Sequence, residues 1–394
     1  MKINLNLRVS DNSIFFLSLL IIILVLSPVL TIFFENINQK SDYLNFFSGN
    51  EFLSYTKNSV IILFAVLFIT LILGGLSAYL VTFYKFIGVN FFKYSLLLSF
   101  AIPPYIYAYT LSAFFENFGI AYSLVSLFSE DLSETFTLKI EPLVGSILSL
   151  SLTLFGYVFI LTRSTFLNQS RDLIEVGKSL GFNNVDTFFK IIVPSARPAI
   201  FIGLSLVAME TLSDFGTVSF FGISTFTTGI YNSWFIFDDL KTANFLSLFL
   251  VVFVLFFFGL ESISRKNIKF FNSNNSFNKK NKKTLLSGYK GLLAFLFCLF
   301  LFTVSFLFPL LLMLKWFFMN ISFLDLNQII HLNYNSVKLI FFSSIFIISI
   351  SLIVTFSGRV LKSKTLSFFS NLSISGYAIP GIVVSVSVIS LFSL

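Results

Sequence analysis

Ionisable residues divide this chain into long uncharged apolar runs separated by short polar ones. Crossing a lipid hydrocarbon core about 30 Å thick takes about 20 residues of helix. Runs of about that length or longer lie between Asp11 and Glu35, Lys57 and Lys85, Lys93 and Glu116, Glu141 and Arg163, Lys241 and Glu261, Lys290 and Lys315, and Lys338 and Arg359. Another follows Arg197, although it carries Glu210 and Asp214, and a last one runs uncharged from Thr365 to Leu394. The pattern predicts nine membrane-spanning helices. The apolar region from Ile14 to Phe34 exceeds the roughly 7 to 15 residues of a cleaved leader, and no small-x-small cleavage site follows, so it reads as a retained helix.

Composition leads to the same class. The 394 residues are 56% hydrophobic and 11% charged, with a mean hydropathy of +0.91. Soluble proteins carry about 25% charged residues, so this chain has too few to solvate a globule, and the same figures exclude intrinsic disorder. The net charge of +8 comes from 26 Lys and Arg against 18 Asp and Glu. With the N-terminus in the cytoplasm and the sides alternating, twenty of the 26 basic residues fall inside, while the outer loops collect eleven acids. The positive balance is therefore topological and implies no nucleic-acid partner. Cys298 is alone, which removes any disulfide framework or Cys-based metal site. His331, placed by the pattern in an outer loop, reads as an ordinary surface residue.

The chain also repeats itself. NSVIILFAVLFITLILGGLSAYL from Asn58 resembles NSVKLIFFSSIFIISISLIVTFS from Asn335, an offset of 277 (335 − 58). Ala101, Ile102 and Pro103 match Ala378, Ile379 and Pro380 in the same register. A proline in a membrane helix frees a carbonyl and bends the axis, so paired prolines mark corresponding places. Such duplication is familiar in transporters, where two related bundles rock about a central path. The expected organisation is a first transmembrane half over 1–264 with six spans, a cytoplasmic linker over 265–290, and an incomplete second half over 291–394 with three spans. That reading implies a fragment or a split-gene product, and in the split-gene case a second permease polypeptide supplies the missing spans.

Between the fourth and fifth spans, the loop over about 164–198 is cytoplasmic by charge yet keeps helical periodicity. Leu173, Ile174, Val176 and Leu180 form an apolar face on a first short helix. Gly181 permits a turn, Asn184 can cap a second helix, and Pro194 would end it before the membrane. By itself this is a small amphipathic hairpin on the membrane surface. The spacing of Glu175, Gly181, Ile191 and Pro194 resembles the coupling-loop motif of binding-protein-dependent ABC importer permeases: EAA, three residues, Gly, nine residues, I-x-L-P. EVG stands here for EAA, and Val193 for the Leu. The resemblance implies an all-α polytopic membrane protein of the type I ABC importer fold in a bacterial inner membrane. It also implies cytoplasmic ABC ATPase subunits and a periplasmic substrate-binding protein as partners. In it, Glu175 makes a polar contact in an ATPase cleft and Gly181 sets the turn. No GxxxxGK[ST] loop occurs in the chain, so ATP would be handled by a partner, and no cofactor is expected.

Glu210 and Asp214 are spaced i, i+4, so on a continuous helix they would share one face, with Glu210 roughly 18 Å from the cytoplasmic start. Carboxylates in a span are costly and usually face a bundle interior or a wet cavity. Two roles stay open: lining the translocation path, or holding helices together through hydrogen bonds. The stretch METLSDFGTVSFFGISTFTTGIYNSWF resembles the ferric-iron permeases of this importer family, which makes ferric iron the expected cargo. Thiamine, a polyamine or a phosphonate are alternatives within the same machinery. An ion-coupled secondary transporter is a more distant alternative, and it leaves the Glu175 to Pro194 spacing unexplained. No catalytic or metal-ligand constellation appears, so an enzyme is not expected.

Overall fold

Backbone N–H and C=O groups that enter lipid must find partners within their own segment, so lipid-facing apolar runs of this length fold as helices. The computed structural model describes residues 11–38, 49–116, 119–127, 140–168, 177, 179–266, 283–323, 325–361, 365–366, 368–370, 376 and 379–393. In chain order its helices begin with α1 (Asp11–Asn38), α2 (Asn50–Phe83), α3 (Val89–Ser95), α4 (Pro104–Phe115), α5 (Ile120–Ser126) and α6 (Pro142–Asn168). They continue with α7 (Asn184–Thr187), α8 (Val193–Ser213), α9 (Gly216–Phe220), α10 (Phe226–Tyr231) and α11 (Leu240–Lys266). The last are α12 (Tyr289–Phe302), α13 (Phe308–Asn320), α14 (Leu326–Leu361) and α15 (Gly381–Ser393). A π-helical turn over Thr303–Leu307 joins α12 to α13 as one long apolar helix.

Among the described residues, seven helical stretches are long and apolar enough to cross a membrane, or eight if the bent pair α3 and α4 is one span. The shorter α15 lies where the ninth span is expected, so the helices are consistent with nine crossings. The third crossing is not a straight rod. After α3 the backbone tightens into a 3₁₀ segment over Leu96–Ala101, Ile102 is extended, and α4 leaves at 91°. The cause is Pro103-Pro104. A proline keeps the residue before it extended, while Pro104 suits the first helical position, where no N–H is needed.

The packing is centred on α6, whose Leu150, Phe155, Val158 and Phe159 are fully buried. Both α2 and α8 lie along it, and each approaches at a glycine. A Cβ added to Gly74 would lie 2.7 Å from Val158 Cβ, and one added to Gly203 would lie 3.0 Å from Val158 Cα. Helices in lipid gain little from hydrophobic association, so close van der Waals packing at small residues holds them together.

Longer-range contacts are reciprocal. α1 packs against α11, α14 and α15, and Thr31 Oγ1 donates to the Ser387 carbonyl at 3.3 Å. α4 packs against α13, and Tyr107 OH donates to the Val304 carbonyl at 3.1 Å. Because α15 is the counterpart of α4 at the 277 offset, the first helix of each expected half lies on the third crossing of the other. Buried amides add glue: Asn36 Nδ2 donates to the Asn244 carbonyl at 3.2 Å, and Asn244 Nδ2 to Ser390 Oγ at 2.7 Å.

From Lys283 onward, the described chain returns to the end of α2. Thr284–Leu285 (β2) pairs in parallel with Tyr84–Lys85 (β1), Leu286 N donates to the Lys85 carbonyl at 3.0 Å, and Lys283 Nζ donates to the Val81 carbonyl. In contrast to these contacts, α14 is almost bare: 6% of its span is buried, against 33% for α2, its counterpart at the same offset.

Candidate functional site

In the loop between α6 and α8 the described residues, 177 and 179–192, turn at Gly181. That residue has φ +77°, a left-handed conformation that a side chain disfavours. Phe182 N donates to the Gly177 carbonyl at 3.0 Å, the bond that closes a helix ending in a left-handed residue. The following helix is capped by Asn183, not by Asn184: Asn183 Oδ1 accepts from Asp186 N at 2.7 Å, and its carbonyl accepts from Thr187 N at 2.9 Å. Asn184 is instead the first helical residue. Glu175, Leu173, Ile174 and Val176 lie outside the described residues.

Gly177 interlocks the two arms. A Cβ there would lie 2.7 Å from Thr187 Oγ1 and 3.2 Å from Ile191 Cδ1. Sequence reasoning gave Gly177 no role, although the small third position of the E-A-A triplet was the available signal. Ile191 of the expected motif is therefore a packing contact across the hairpin. Lys190 pairs with Asp186 at 2.8 Å, and its ammonium lies 5.1 Å from the centre of the Phe182 ring. Leu180 is 63% and Phe189 64% exposed, so this turn presents apolar side chains outward and does not bury them within the chain.

Pro194 does not end the second helix. It sits in the first turn of α8, and the coil runs on from α7 through a π-helical turn over Phe188–Ile192 into the span. A proline inside a regular helix lacks an N–H and crowds the carbonyl four residues before it. The wider turn, in which Val193 N donates to the Phe188 carbonyl, relieves that crowding. The arm of the hairpin and the fifth crossing are thus one continuous rod from Asn184 to Ser213.

At the far end of that rod, the structure separates the two carboxylates that the spacing puts on one helix face. Glu210 is in the last turn of α8 and accepts from Tyr157 OH at 3.3 Å. Asp214 lies beyond the helix in an extended conformation, ψ 126°. Its carboxylate caps the short α9, accepting from Thr217 N at 3.0 Å, Val218 N at 3.2 Å and Thr217 Oγ1 at 2.9 Å. A helix start has unpaired N–H groups and a partial positive charge, so a carboxylate there ends one helix and starts the next. Thr227 Oγ1 donates to the Asp214 carbonyl at 2.8 Å, and Thr225 N donates to Thr228 Oγ1 at 2.8 Å, so the stretch DFGTVSFFGISTFTTGIY is a folded break between two helices. Nothing in the sequence pattern singled out Tyr157. His331 is exposed in the first turns of α14, not in a loop. Among the described residues, no group of three or more His, Cys, Asp or Glu side chains gathers as metal ligands.

Residues 70–269, from the middle of α2 to just past α11, match the family described as binding-protein-dependent transport system inner membrane component. The chain is 25% identical over 337 residues to the Fe(3+)-transport system permease protein FbpB 2 of Haemophilus influenzae, covering 84% of this chain and 62% of that protein. It is 29% identical over 147 residues to the probable sulfate transport system permease protein cysT of Chlorella vulgaris, covering 37% of this chain and 53% of that one. With the sulfate transport system permease protein CysT of Salmonella typhimurium it shares 23% identity over 205 residues, 52% and 72% of the two chains. The chain thus spans a little under two thirds of its ferric relative. The matched stretch contains both the hairpin and the helix-end carboxylates, and the chain belongs to the family of inner-membrane components of binding-protein-dependent transport systems, the permeases of ABC importers.

Proposed function

We propose that this chain is the permease part of an ATP-driven importer that carries ferric iron from periplasm to cytoplasm by alternating access. The observation that carries the reading is the continuous rod from Asn184 to Ser213. A hairpin seated on a cytoplasmic ATPase, with Glu175 in polar contact and Leu180 and Phe189 in apolar contact, would move that rod as a lever. Displacement at one end would reach the Glu210 and Asp214 end along one unbroken helical path, and rigid-body motion of this kind is how packed helices switch between discrete states.

Charge and kinship together support ferric iron as the cargo. The ionisable groups at the far end of α8 are both acids, which attract a cation and repel sulfate. The longest of the three alignments is to a ferric permease. A periplasmic binding protein would select and deliver the iron, so the permease itself needs no tight site. The N-terminus is cytoplasmic in this reading, and the chain divides into a half over 1–264, a linker over 265–290 and a second half over 291–394, as the 277 offset and the reciprocal packing suggest. The bare α14 is then the surface for spans equivalent to α6 and α8, supplied by further permease sequence.

The test is uptake into proteoliposomes holding this chain with the ATPase, binding protein and any further permease segment encoded beside it. Radiolabelled ferric iron should enter only with ATP inside the compartment that the hairpin faces, and Glu175→Lys should abolish entry. Uptake of sulfate but not iron would overturn the cargo, and uptake driven by an ion gradient without ATP would overturn the class.

A further inference from the structure

We infer that the groove between α2 and α12 is a binding site for one anionic phospholipid, with an acyl chain along the groove and the phosphate on Lys290. The cavity measures about 440 Å³. Leu76 and Leu80 on α2 form one wall, and Leu293 and Phe297 on α12 the other, each pair spaced one helical turn apart. The buried Ala294 lies between them. Both helices are membrane crossings, and Leu76 and Leu293 remain 40% and 61% exposed, so the trough opens toward lipid and not toward water. An apolar trough in that setting is filled by hydrocarbon.

The polar groups gather at one end of it. Lys290 continues the α12 stripe one turn before Leu293 and Ala294, and long basic side chains near a helix end reach for the headgroup level. Tyr79 and Tyr84 also line the cavity, with their hydroxyl oxygens 2.9 Å apart. One hydroxyl of the pair donates to the other, which leaves one proton to donate outward, as a phosphate or ester oxygen requires.

The charge around this end selects an anion. β2, which pairs with Tyr84–Lys85, follows directly on Lys283. Burial, with the Lys93 and Arg163 charges nearby, pushes the Lys283 ammonium down to about 8. Arg163 Nε is buried without a hydrogen-bond partner. The lone ion pair found among the described residues, Lys190 with Asp186, is elsewhere, in the hairpin. Among the described residues no ion pair holds these cations, and a cluster of cations at a membrane surface attracts acidic lipid of that leaflet.

The experiment places the full chain in nanodiscs of equal parts phosphatidylglycerol and phosphatidylcholine, extracts it into detergent, and counts retained lipid by native mass spectrometry. The expected result is one phosphatidylglycerol held per chain, preferred roughly fivefold over phosphatidylcholine, the size expected of one lysine at an anionic surface. Lys290→Gln should erase the preference, and Leu76→Trp, which fills the open wall, should erase retention. Ala294→Trp is a second filling variant, and all are compared only as monodisperse protein. Equal retention of the two lipids by the natural chain, or retention unchanged in Lys290→Gln or in a filling variant, would overturn the site.

Discussion

Asp214 and Glu210 differ in what holds them, and single substitutions separate their roles. Three donors fix the Asp214 carboxylate at the start of α9. Asp214→Ala should lower the thermal midpoint of the purified chain by the equivalent of about 1 kcal/mol, the usual loss of a helix cap, and Asp214→Asn should lose clearly less because an amide oxygen still accepts. Equal losses for the two would mean that charge and not capping sets the position. At the hairpin, Gly181→Val strains a left-handed residue by about 1–2 kcal/mol. Gly177→Leu forces a side chain into Thr187 and Ile191. Both variants should leave the crossings folded while exposing the hairpin to added protease, and undiminished protease resistance of Gly177→Leu would sink the interlock. Gly181 was readable from sequence because a turn leaves a glycine behind. The Asn183 cap was not, because two adjacent asparagines are equally able to cap until the turn fixes the register.

Among the elements, the returning strap of β2 on β1 has a pH signature. The folded Lys283 sits at about 8 against an ordinary 10.5. The folded state therefore binds fewer protons than the unfolded state between those values, and stability rises with pH across that window. Below about 8 the buried ammonium is charged in both states and its full penalty is present. Thermal midpoints measured from pH 7 to pH 11 should climb through this interval, and Lys283→Met should flatten the climb; a curve unchanged by the substitution would remove Lys283 as its source. The bent third crossing was legible as a bend at Pro103 and Pro104, but its 91° angle was not, since an extended residue between two helices can point the second in many directions until packing chooses one. The rod through Pro194 was misjudged for the opposite reason: a proline normally marks a helix boundary, and only the π-helical turn before it lets the coil continue.

For the molecule as a whole, α2 and α14 offer a matched comparison. Gly74 of α2 is pressed against Val158, and the residue at the same offset in α14 is Ser351 on an exposed face. Gly74→Trp should abolish a monodisperse, cooperatively melting chain, because the side chain must displace α6. Ser351→Trp should leave the isolated chain unchanged but block its assembly with the further permease segment proposed to cover α14, read by co-purification of the two. Co-purification as efficient with Ser351→Trp as with the natural chain would rule out that face.

The sequence by itself determined the solvent. Charge-free runs long enough to cross lipid can satisfy their backbone in only one way, and so the helices, their rough bounds and the repeat at 277 follow from one-dimensional information. It also carried the importer class, since the hairpin motif is local and contiguous. Partnership was left to the tertiary structure. Periodicity in a chain this apolar barely distinguishes a face turned to lipid from one turned to protein, so Gly74 and Gly203 closing on Val158, Tyr157 meeting Glu210, and the first helix of each expected half lying on the other were not visible beforehand. The same holds for Asp214: its spacing from Glu210 is a fact of sequence, but whether the helix reaches it depends on which backbone N–H groups its carboxylate finds in space.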